Sequence, residues 1–300
     1  MRKLLLNRVN VLFLILLGVV FFLPARRELD EPWAYVTVLV LSELLFLVQY
    51  ARKKKKSALD VGTAAFLLLG VWDVLSRLNL THPVLVPPPE NVFYVFVDQR
   101  VLMIESVFSS LRLMVISVGI AMILGISLGL LVGWVPRLRG AVMPIAHVIS
   151  PIPALVTTPY IVAVMPTFQS ASIFVISFSV FWPTFQNMVQ RVTGIDQKII
   201  QSARVMNVST PTMLFRIILP YCLPGILSGL TGTMRVALLC LSGAELLGAR
   251  SGLGFFVKKF SDYANYTQVI AGIILMGIVV TVLTMLIEWI QKKAIKWQYT

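Results

Sequence analysis

The chain has 300 residues, of which 58% are hydrophobic and 13% are charged, and its mean hydropathy is +0.87. Because an average soluble domain has about 25% charged residues, this composition excludes an ordinary soluble enzyme or binding domain and indicates a membrane protein. The net charge of +13 is typical of a bilayer protein whose cytoplasmic loops collect Lys and Arg, and this explanation is favoured over nucleic-acid binding.

Apolar helices account for most of the chain. Runs of about 18 to 20 apolar residues are long enough to cross the bilayer, and no alternating barrel pattern is present, so we predict an all-α integral membrane protein. About eight spans are predicted, at residues 9–23, 33–50, 58–75, 111–134, 141–165, 170–188, 217–241 and 269–290. The basic run at 52–56 follows the second span and, by the positive-inside rule, places both termini in the cytoplasm.

Prolines mark two segments of the chain. The run Pro87, Pro88 and Pro89 cannot continue a helix, so an external loop followed by a helix at the membrane interface is predicted after the third span. The fifth span is interrupted by Pro144, Pro151, Pro153 and Pro159.

The longest cytoplasmic connection, residues 189–216, contains most of the polar stretch QSARVMNVSTPTMLFRIILP. The spacing predicts a helix whose apolar face is formed by Ile199, Ile200, Ala203, Val205 and Met206. Asn207 tolerates a left-handed turn, and Ser209 with Pro211 suits the start of a second helix. From the pattern alone the element is either an ordinary solvated loop or a site that receives a partner.

The same stretch resembles the EAA loop of binding-protein-dependent ABC importer permeases, whose pattern is E-A-A, three residues, G, nine residues, I-x-L-P. The spacing is retained in full, and the motif positions fall on Gln201, Ser202, Ala203, Asn207, Ile217, Leu219 and Pro220. Gln201 stands where the family has a carboxylate, and Asn207 stands where it has a glycine. Because Asn is able to adopt the left-handed conformation, the bend is expected to survive.

Other segments resemble the nitrate, sulfonate and taurine branch of this family. They are LVPPPENVFYVF, SSLRLMVISVGIAMILGISLGLLVGW, PIPALVTTPYIVAVMP and GAELLGARSGLGFFV, the last with the spacing A-E-x-L-G-x-x-x-G-L-G. The resemblance covers about residues 83–300, whereas the first two spans have no counterpart in the family core. We therefore expect an added N-terminal hairpin (1–56), a span with an external loop and an interfacial helix (57–110), and a permease core (111–300) that contains a coupling loop (189–216).

The resemblance implies a type I importer permease in the cytoplasmic membrane. Its expected partners are two ABC ATPase subunits, a solute-binding protein, a second permease copy or related permease, and membrane lipid, but no nucleic acid. The chain has no G-x-x-x-x-G-K-[ST] phosphate loop, so ATP-Mg is expected on the ATPase subunits and no cofactor on this chain. The ATPase-coupling loop is expected to act through Gln201, Ser202, Ala203, Arg204, Asn207, Ile217, Leu219 and Pro220.

Residues of the later spans are predicted to line or gate a solute pathway. They are Pro151, Pro153, Pro159, Arg235, Glu245, Gly248, Gly252 and Gly254. Prolines free backbone carbonyls that need protein, water or solute, and glycines permit tight turns; a kinked packing helix remains the alternative for the proline-rich span. Glu245 is costly near a bilayer unless it is paired, and Arg250 is its predicted partner. Arg235 either attracts an anionic solute or pairs with Asp73 or Glu43.

Two other function classes were weighed. A secondary transporter driven by an ion gradient needs coupling carboxylates at mid-membrane and often two related halves, but deep acids are few and no internal repeat is evident. A membrane enzyme needs a catalytic cluster, and His82 and His147 stand alone without metal-ligand spacing. The expected solute is small and polar or anionic, such as nitrate, a sulfonate, taurine or a vitamin precursor.

Overall fold

The structure, a computed structural model, describes residues 7–53 and 56–294, and all regular structure within these ranges is helical. The helices are, in chain order, α1 (Arg8–Phe22), α2 (Trp33–Lys53), α3 (Lys56–Arg77), α4 (Pro89–Asp98), α5 (Arg100–Trp134), α6 (Pro136–Ile149), α7 (Ala154–Val164), α8 (Phe168–Thr193), α9 (Gln197–Val205), α10 (Leu219–Gly248), α11 (Leu253–Asp262) and α12 (Tyr266–Ala294). The predicted all-α fold class is confirmed.

Six helical segments of the described chain are long and apolar enough to cross a membrane, and the bent pair α6 and α7 makes seven if it is counted as one span. Helix α1 has 15 residues, which is fewer than the roughly 20 that a straight crossing needs. The predicted number of eight is therefore reached only if both α1 and the bent pair are included. Lys54 and Lys55, in the basic run used for the topology, lie outside the described residues, as does Lys296.

The chain forms two compact units. Unit 1 contains the residues up to Ile104 together with Phe256–Ile274, and unit 2 contains Glu105–Phe255 together with the residues from Leu275 onward. The core of unit 1 is apolar and consists of Val9, Leu16, Val20, Tyr35, Leu39, Phe46 and Phe66. Helix α4 joins this core through Phe93, whose ring stacks on Tyr35 at a centroid distance of 5.7 Å.

A buried ion cluster connects α3 to α4 in unit 1. Arg77 donates from Nε to Oδ1 of Asp73 at 2.7 Å and from Nη2 to Oε1 of Glu90, and all three side chains are buried. Its Nη1 also donates to the carbonyl oxygen of Leu23 at 3.1 Å. Burial, followed by the charge of Asp73, raises the pKa of the Glu90 carboxyl. The cluster thus fixes the end of α3 to the start of α4 and to the segment after α1.

Unit 2 is built around α8, which packs extensively along α10. Its central core combines buried residues of α5, α7, α8 and α10, namely Met114, Val118, Ala121, Ala154, Val175, Ile176, Val180, Ala237, Leu238, Cys240 and Leu241. A second cluster lies at the other end of α8 and includes Met188, Val192, Ile200, Ala203, Met213 and Ile218. The two clusters hold α8 and α10 together at two separate levels along their length.

Three glycines at a spacing of four residues let α5 approach α8 closely. A Cβ atom at Gly129 would lie 2.6 Å from Cβ of Met188, and one at Gly133 would lie 2.7 Å from Cβ of Val192. Gly125 is less crowded, at 3.1 Å from Thr184. Small residues at this spacing are typical of closely packed membrane helices, where dispersion contacts drive association.

We predict that Gly129→Ala destabilises the protein by about 1–3 kcal/mol, because the added methyl group overpacks the contact with α8. Gly119→Ala is the matched control on the same helix, since a Cβ there meets nothing within 4 Å. Thermal unfolding of the purified chain can be followed with a dye that labels the thiols of Cys222 and Cys240, which are buried in the folded state. Equal melting temperatures for the two variants would contradict the close packing.

Candidate functional site

The predicted coupling loop contains α9, which is anchored on one face only. The helix begins after Asp196, whose carboxylate accepts a hydrogen bond from the N–H of Lys198 at 2.9 Å. Ile200 and Ala203 are buried in the cluster at the end of α8. Gln201, Ser202 and Arg204 of the predicted coupling loop are exposed.

The turn after α9 has the geometry that the sequence predicts. Asn207 has a φ of 52°, which is the left-handed conformation. The N–H of Val208 donates to the carbonyl oxygen of Ala203 at 3.2 Å, and the N–H of Asn207 donates to the carbonyl oxygen of Arg204 at 2.9 Å. These bonds satisfy carbonyl oxygens in the last turn of the helix. Glycine is the residue that most often permits this arrangement after a helix.

The predicted apolar face of α9 is wrong at its C-terminal end. Val205 is 84% exposed and Met206 is 77% exposed, so neither packs with Ile200 and Ala203. At about 3.6 residues per turn, Val205 lies on the side of the helix away from Ile200 and Ala203, and Met206 follows the last helical residue. Phe215 is also exposed, at 63%. The coupling loop therefore presents apolar side chains beside its exposed polar ones.

The second predicted helix is the beginning of the next span and not a separate element. A turn at Thr210–Thr212 continues through the π-helical Met213–Ile218 into α10 without a break. The N–H of Leu219 bonds five residues back, to the carbonyl oxygen of Leu214. Because Pro220 has no N–H to donate, the regular α-helical ladder is interrupted at this point and the wider turn is accommodated.

The proline-rich span is broken, as predicted. Helices α6 and α7 meet at an angle of 94° across a break that contains Pro151 and Pro153. Pro153 has extended backbone angles and directly precedes α7. Pro144 and Pro159 lie inside the two helices and do not end them.

Glu245 lies at the far end of α10 in a buried hydrogen-bond network, which we call the Glu245 network. Its Oε1 accepts from the hydroxyl of Ser110 at 2.6 Å, and its Oε2 accepts from the N–H of Gly254 at 2.7 Å. The N–H of Leu253 in turn donates to Oγ of Ser110 at 2.8 Å. The network ties α5, α10 and the start of α11 together, and Glu245 is only 2% exposed.

The predicted pairing of Glu245 with Arg250 is wrong. Two neutral donors, the hydroxyl of Ser110 and the N–H of Gly254, occupy the carboxylate, whereas Arg250 is exposed on the connection between α10 and α11. A carboxylate that accepts such bonds tolerates burial without an ionic partner.

The three predicted gate glycines have different structural roles. Gly252 has a φ of 120°, and a Cβ atom there would collide with the carboxylate of Glu245. A Cβ atom at Gly254 would lie 2.7 Å from Cβ of Glu245, so this position requires close approach and not a turn. Gly248 ends α10, and a Cβ there would lie 3.1 Å from the ring of Phe168.

Arg235 is exposed on α10, and no ion pair within the described residues includes it. The predicted pairing with Asp73 is wrong, because Asp73 is bonded to Arg77 one turn along its own helix. Glu43 is buried in α2, and its Oε2 has no hydrogen-bond partner in the part of the chain that the structure describes. Within the part of the chain that the structure describes, Arg235 thus has no acidic partner, and it lies in a helix that is long and apolar enough to cross a membrane.

The coupling loop and the Glu245 network lie at opposite ends of the same helices. Helix α10 starts at the coupling loop and ends at Glu245, and its 30 residues correspond to about 45 Å. Helix α8 runs in the reverse direction between the same two regions. Within residues 7–53 and 56–294, no three His, Cys, Asp or Glu side chains are arranged to hold a metal ion.

Comparison with known proteins finds related permeases. The chain is 29% identical over 252 residues to the taurine transport system permease protein TauC of Escherichia coli (strain K12), with 81% of this chain and 90% of that protein covered. It is 28% identical over 277 residues to the nitrate import permease protein NrtB of Leptolyngbya laminosa, with 90% and 95% covered.

A solved chain of the MetNI methionine ABC transporter, in an inward facing conformation, shares the fold. The TM-score is 0.54 at 18% identity, and the match covers 65% of this chain and 97% of that chain. The family described as binding-protein-dependent transport system inner membrane component matches residues 121–296, which is more than half of the chain. The chain is therefore a multi-pass membrane protein that belongs to the family of inner membrane components of binding-protein-dependent transport systems.

Proposed function

We propose that this chain is the permease subunit of an ATP-driven ABC importer with both termini in the cytoplasm. The observation that carries the proposal is the coupling loop, which is anchored by Ile200 and Ala203 and exposes Arg204, Val205 and Met206. Large exposed apolar side chains beside a positive charge are typical of an interface and not of a solvated loop. A separate ATPase subunit is the partner that fits this surface, and it supplies the ATP-Mg site.

Helix α10 provides the mechanical connection in this proposal. It continues from the coupling loop without a flexible linker, so a displacement of the loop by the ATPase moves the whole helix. The Glu245 network at its other end links that motion to α5 and α11. Making and breaking this network would alternate access between the two sides of the membrane, with the broken α6–α7 segment as part of the pathway wall.

Arg235 indicates which face of α10 meets the solute. A guanidinium inside a span is costly when it faces lipid, so its exposed face requires either an aqueous pathway or a second protein. We therefore place it beside the pathway, which a second permease copy or a related permease would complete. A cation here suits an anionic or polar solute delivered by a solute-binding protein, as the taurine and nitrate permeases among the relatives suggest.

The assignment predicts that Arg204→Glu combined with Met206→Asp removes ATPase binding. The double variant replaces a cation and an exposed apolar group by two carboxylates, which should lower the amount of co-purified ATPase at least tenfold, corresponding to about 1.4 kcal/mol. Arg137→Glu is the matched control, because Arg137 is exposed at the start of α6, outside the coupling loop. Undiminished co-purification in the double variant would show that the loop does not receive the ATPase.

Reconstituted liposomes separate this function from an ion-driven transporter. The complete assembly should accumulate solute only when ATP and the solute-binding protein are present. Uptake by the purified chain alone along a proton or sodium gradient would establish the alternative function.

A further inference from the structure

A cavity of about 680 Å³ opens in unit 2 at the end that contains the Glu245 network. Its walls come from three segments: residues 108–113 of α5, residues 166–169 around the start of α8, and residues 249–251 between α10 and α11. The hydroxyl groups of Ser109 and Ser251 are hydrogen-bonded at 2.7 Å and hold two of these walls together. The cavity lies at the opposite end of α8 and α10 from the coupling loop.

The lining of the cavity is strongly cationic. Arg112 and Arg250 both contribute to it, and no Asp or Glu is among the lining residues. Neither arginine takes part in an ion pair within the described residues. Two guanidinium groups without a counter-charge in one concave space concentrate positive potential, because field lines are focused in a cleft with low-dielectric walls.

The start of α8 adds to the same potential. Thr167 is the N-cap, and its hydroxyl oxygen accepts the N–H of Ser170 at 3.1 Å. That cap leaves the N–H groups of Phe168 and Gln169, the first two residues of the helix, without a partner in the helical ladder. Both residues line the cavity, so the positive end of a 26-residue helix adds to the charge of the two arginines in the same lining.

The neighbouring hydroxyl and amide groups fit an oxyanion. Ser109, Ser251 and Gln169 supply polar groups at the wall, whereas Phe108 and Leu113 supply an apolar surface. Guanidinium groups bind planar and tetrahedral oxyanions with paired N–H donors, and a small apolar substituent on the anion would rest on the phenyl ring.

We propose that this cavity is a binding site for small oxyanions, such as sulfonate or nitrate groups, held between Arg112 and Arg250. The role of the cavity as the point at which the solute first meets the permease rests on the proposed function. Anion binding by the cavity does not depend on that function. Ser109 and Ser251 are chain neighbours of Ser110 and Gly252, which meet Glu245. An occupied cavity therefore bears directly on the segments that form the Glu245 network.

The test uses the purified full-length chain in detergent with sodium methanesulfonate or sodium nitrate as the probe, at constant ionic strength maintained with sodium chloride. Binding to the folded state raises the melting temperature in proportion to the logarithm of the probe concentration above its dissociation constant. We expect both probes to raise the melting temperature with this logarithmic dependence on concentration. Dimethyl sulfone, which has the shape of methanesulfonate without the charge, should give none.

Arg112→Gln with Arg250→Gln should weaken probe binding at least tenfold. Arg137→Gln, at the other end of the unit, is the matched control and should bind as the original chain does. Both cavity arginines are exposed, so the double variant should keep the melting temperature that the chain has without probe; if it does not, the two single variants replace it, each with an expected weakening of at least threefold.

The inference is overturned if the original chain shows no anion-specific stabilisation, or if the arginine variants retain it in full. Co-purification of the ATPase is measured on the same variants and should be unchanged. If the chain without substitutions binds anions but not the ATPase, the proposed function is overturned and this inference is not. ATPase binding without anion binding would overturn only this inference.

Discussion

Replacing Arg77 by Met should destabilise the folded protein by about 3–5 kcal/mol, the largest single-residue effect that we expect on stability. Arg77 is 1% exposed and bonds to two buried carboxylates, Asp73 and Glu90, as well as to the carbonyl oxygen of Leu23. The substitution leaves both carboxylates buried without their cation. Because Met fills a similar volume, the decrease in the free energy of unfolding results from the missing charge and not from a cavity. Denaturant unfolding of the purified chain measures the change in free energy.

The matched control is Arg8→Met, which removes an exposed arginine ion pair in the same unit. Arg8 and Asp60 are largely exposed, at 56% and 67%, so water screens their interaction. The expected loss is below about 1 kcal/mol. Similar losses for the two variants would mean that the Arg77 cluster is hydrated and does not hold α3 to α4.

The Arg77 cluster also shows where sequence reasoning succeeds and fails. Asp73 and Arg77 are four residues apart on one helix, a spacing that always brings side chains within reach. Because Arg235 and Asp73 both lie within predicted spans, an ion pair between them was predicted instead, and that prediction was wrong. The local pair was available from the sequence, whereas the contact with Glu90 depends on how the segment between α3 and α4 folds back and carries no local signal.

The helix and turn at residues 197–208 were largely predictable because their determinants are local. Residue spacing gave the buried positions Ile200 and Ala203, and the conformational freedom of Asn gave the left-handed turn at Asn207. The exposure of Val205 was not predicted, because all five apolar residues were assigned to one face, although a residue two positions after Ala203 lies on the other side of a helix.

The close contact of α5 with α8 had a readable signal that was missed. Gly125, Gly129 and Gly133 recur at four-residue intervals in GISLGLLVG, which favours a helix contact. The Glu245 network had no such signal, since Ser110 and Glu245 are 135 residues apart in the chain. Only tertiary structure reveals that a hydroxyl, and not Arg250, meets this carboxylate.

Replacing Glu245 by Ala should lower solute uptake at least tenfold in the reconstituted transporter, while ATPase binding is retained. The substitution removes both carboxylate oxygens, so the N–H of Gly254 and the hydroxyl of Ser110 lose their acceptors in a buried place. Each unsatisfied group costs about 1–3 kcal/mol. Movement of α10 would then no longer be transmitted to α5 and α11, and ATP hydrolysis should continue without transport.

Two further variants separate the hydrogen bonds from loss of side-chain volume. Leu247→Ala truncates an exposed neighbour on the same helix, 54% accessible, and should leave uptake unchanged. Ser110→Ala removes one bond of the network and should reduce uptake less than Glu245→Ala does. In the double variant Ser110→Ala with Glu245→Ala, the two effects should be strongly non-additive, because both residues act in one network. Additive effects would show that Ser110 and Glu245 act separately, and normal uptake by Glu245→Ala would remove the network from the transport mechanism.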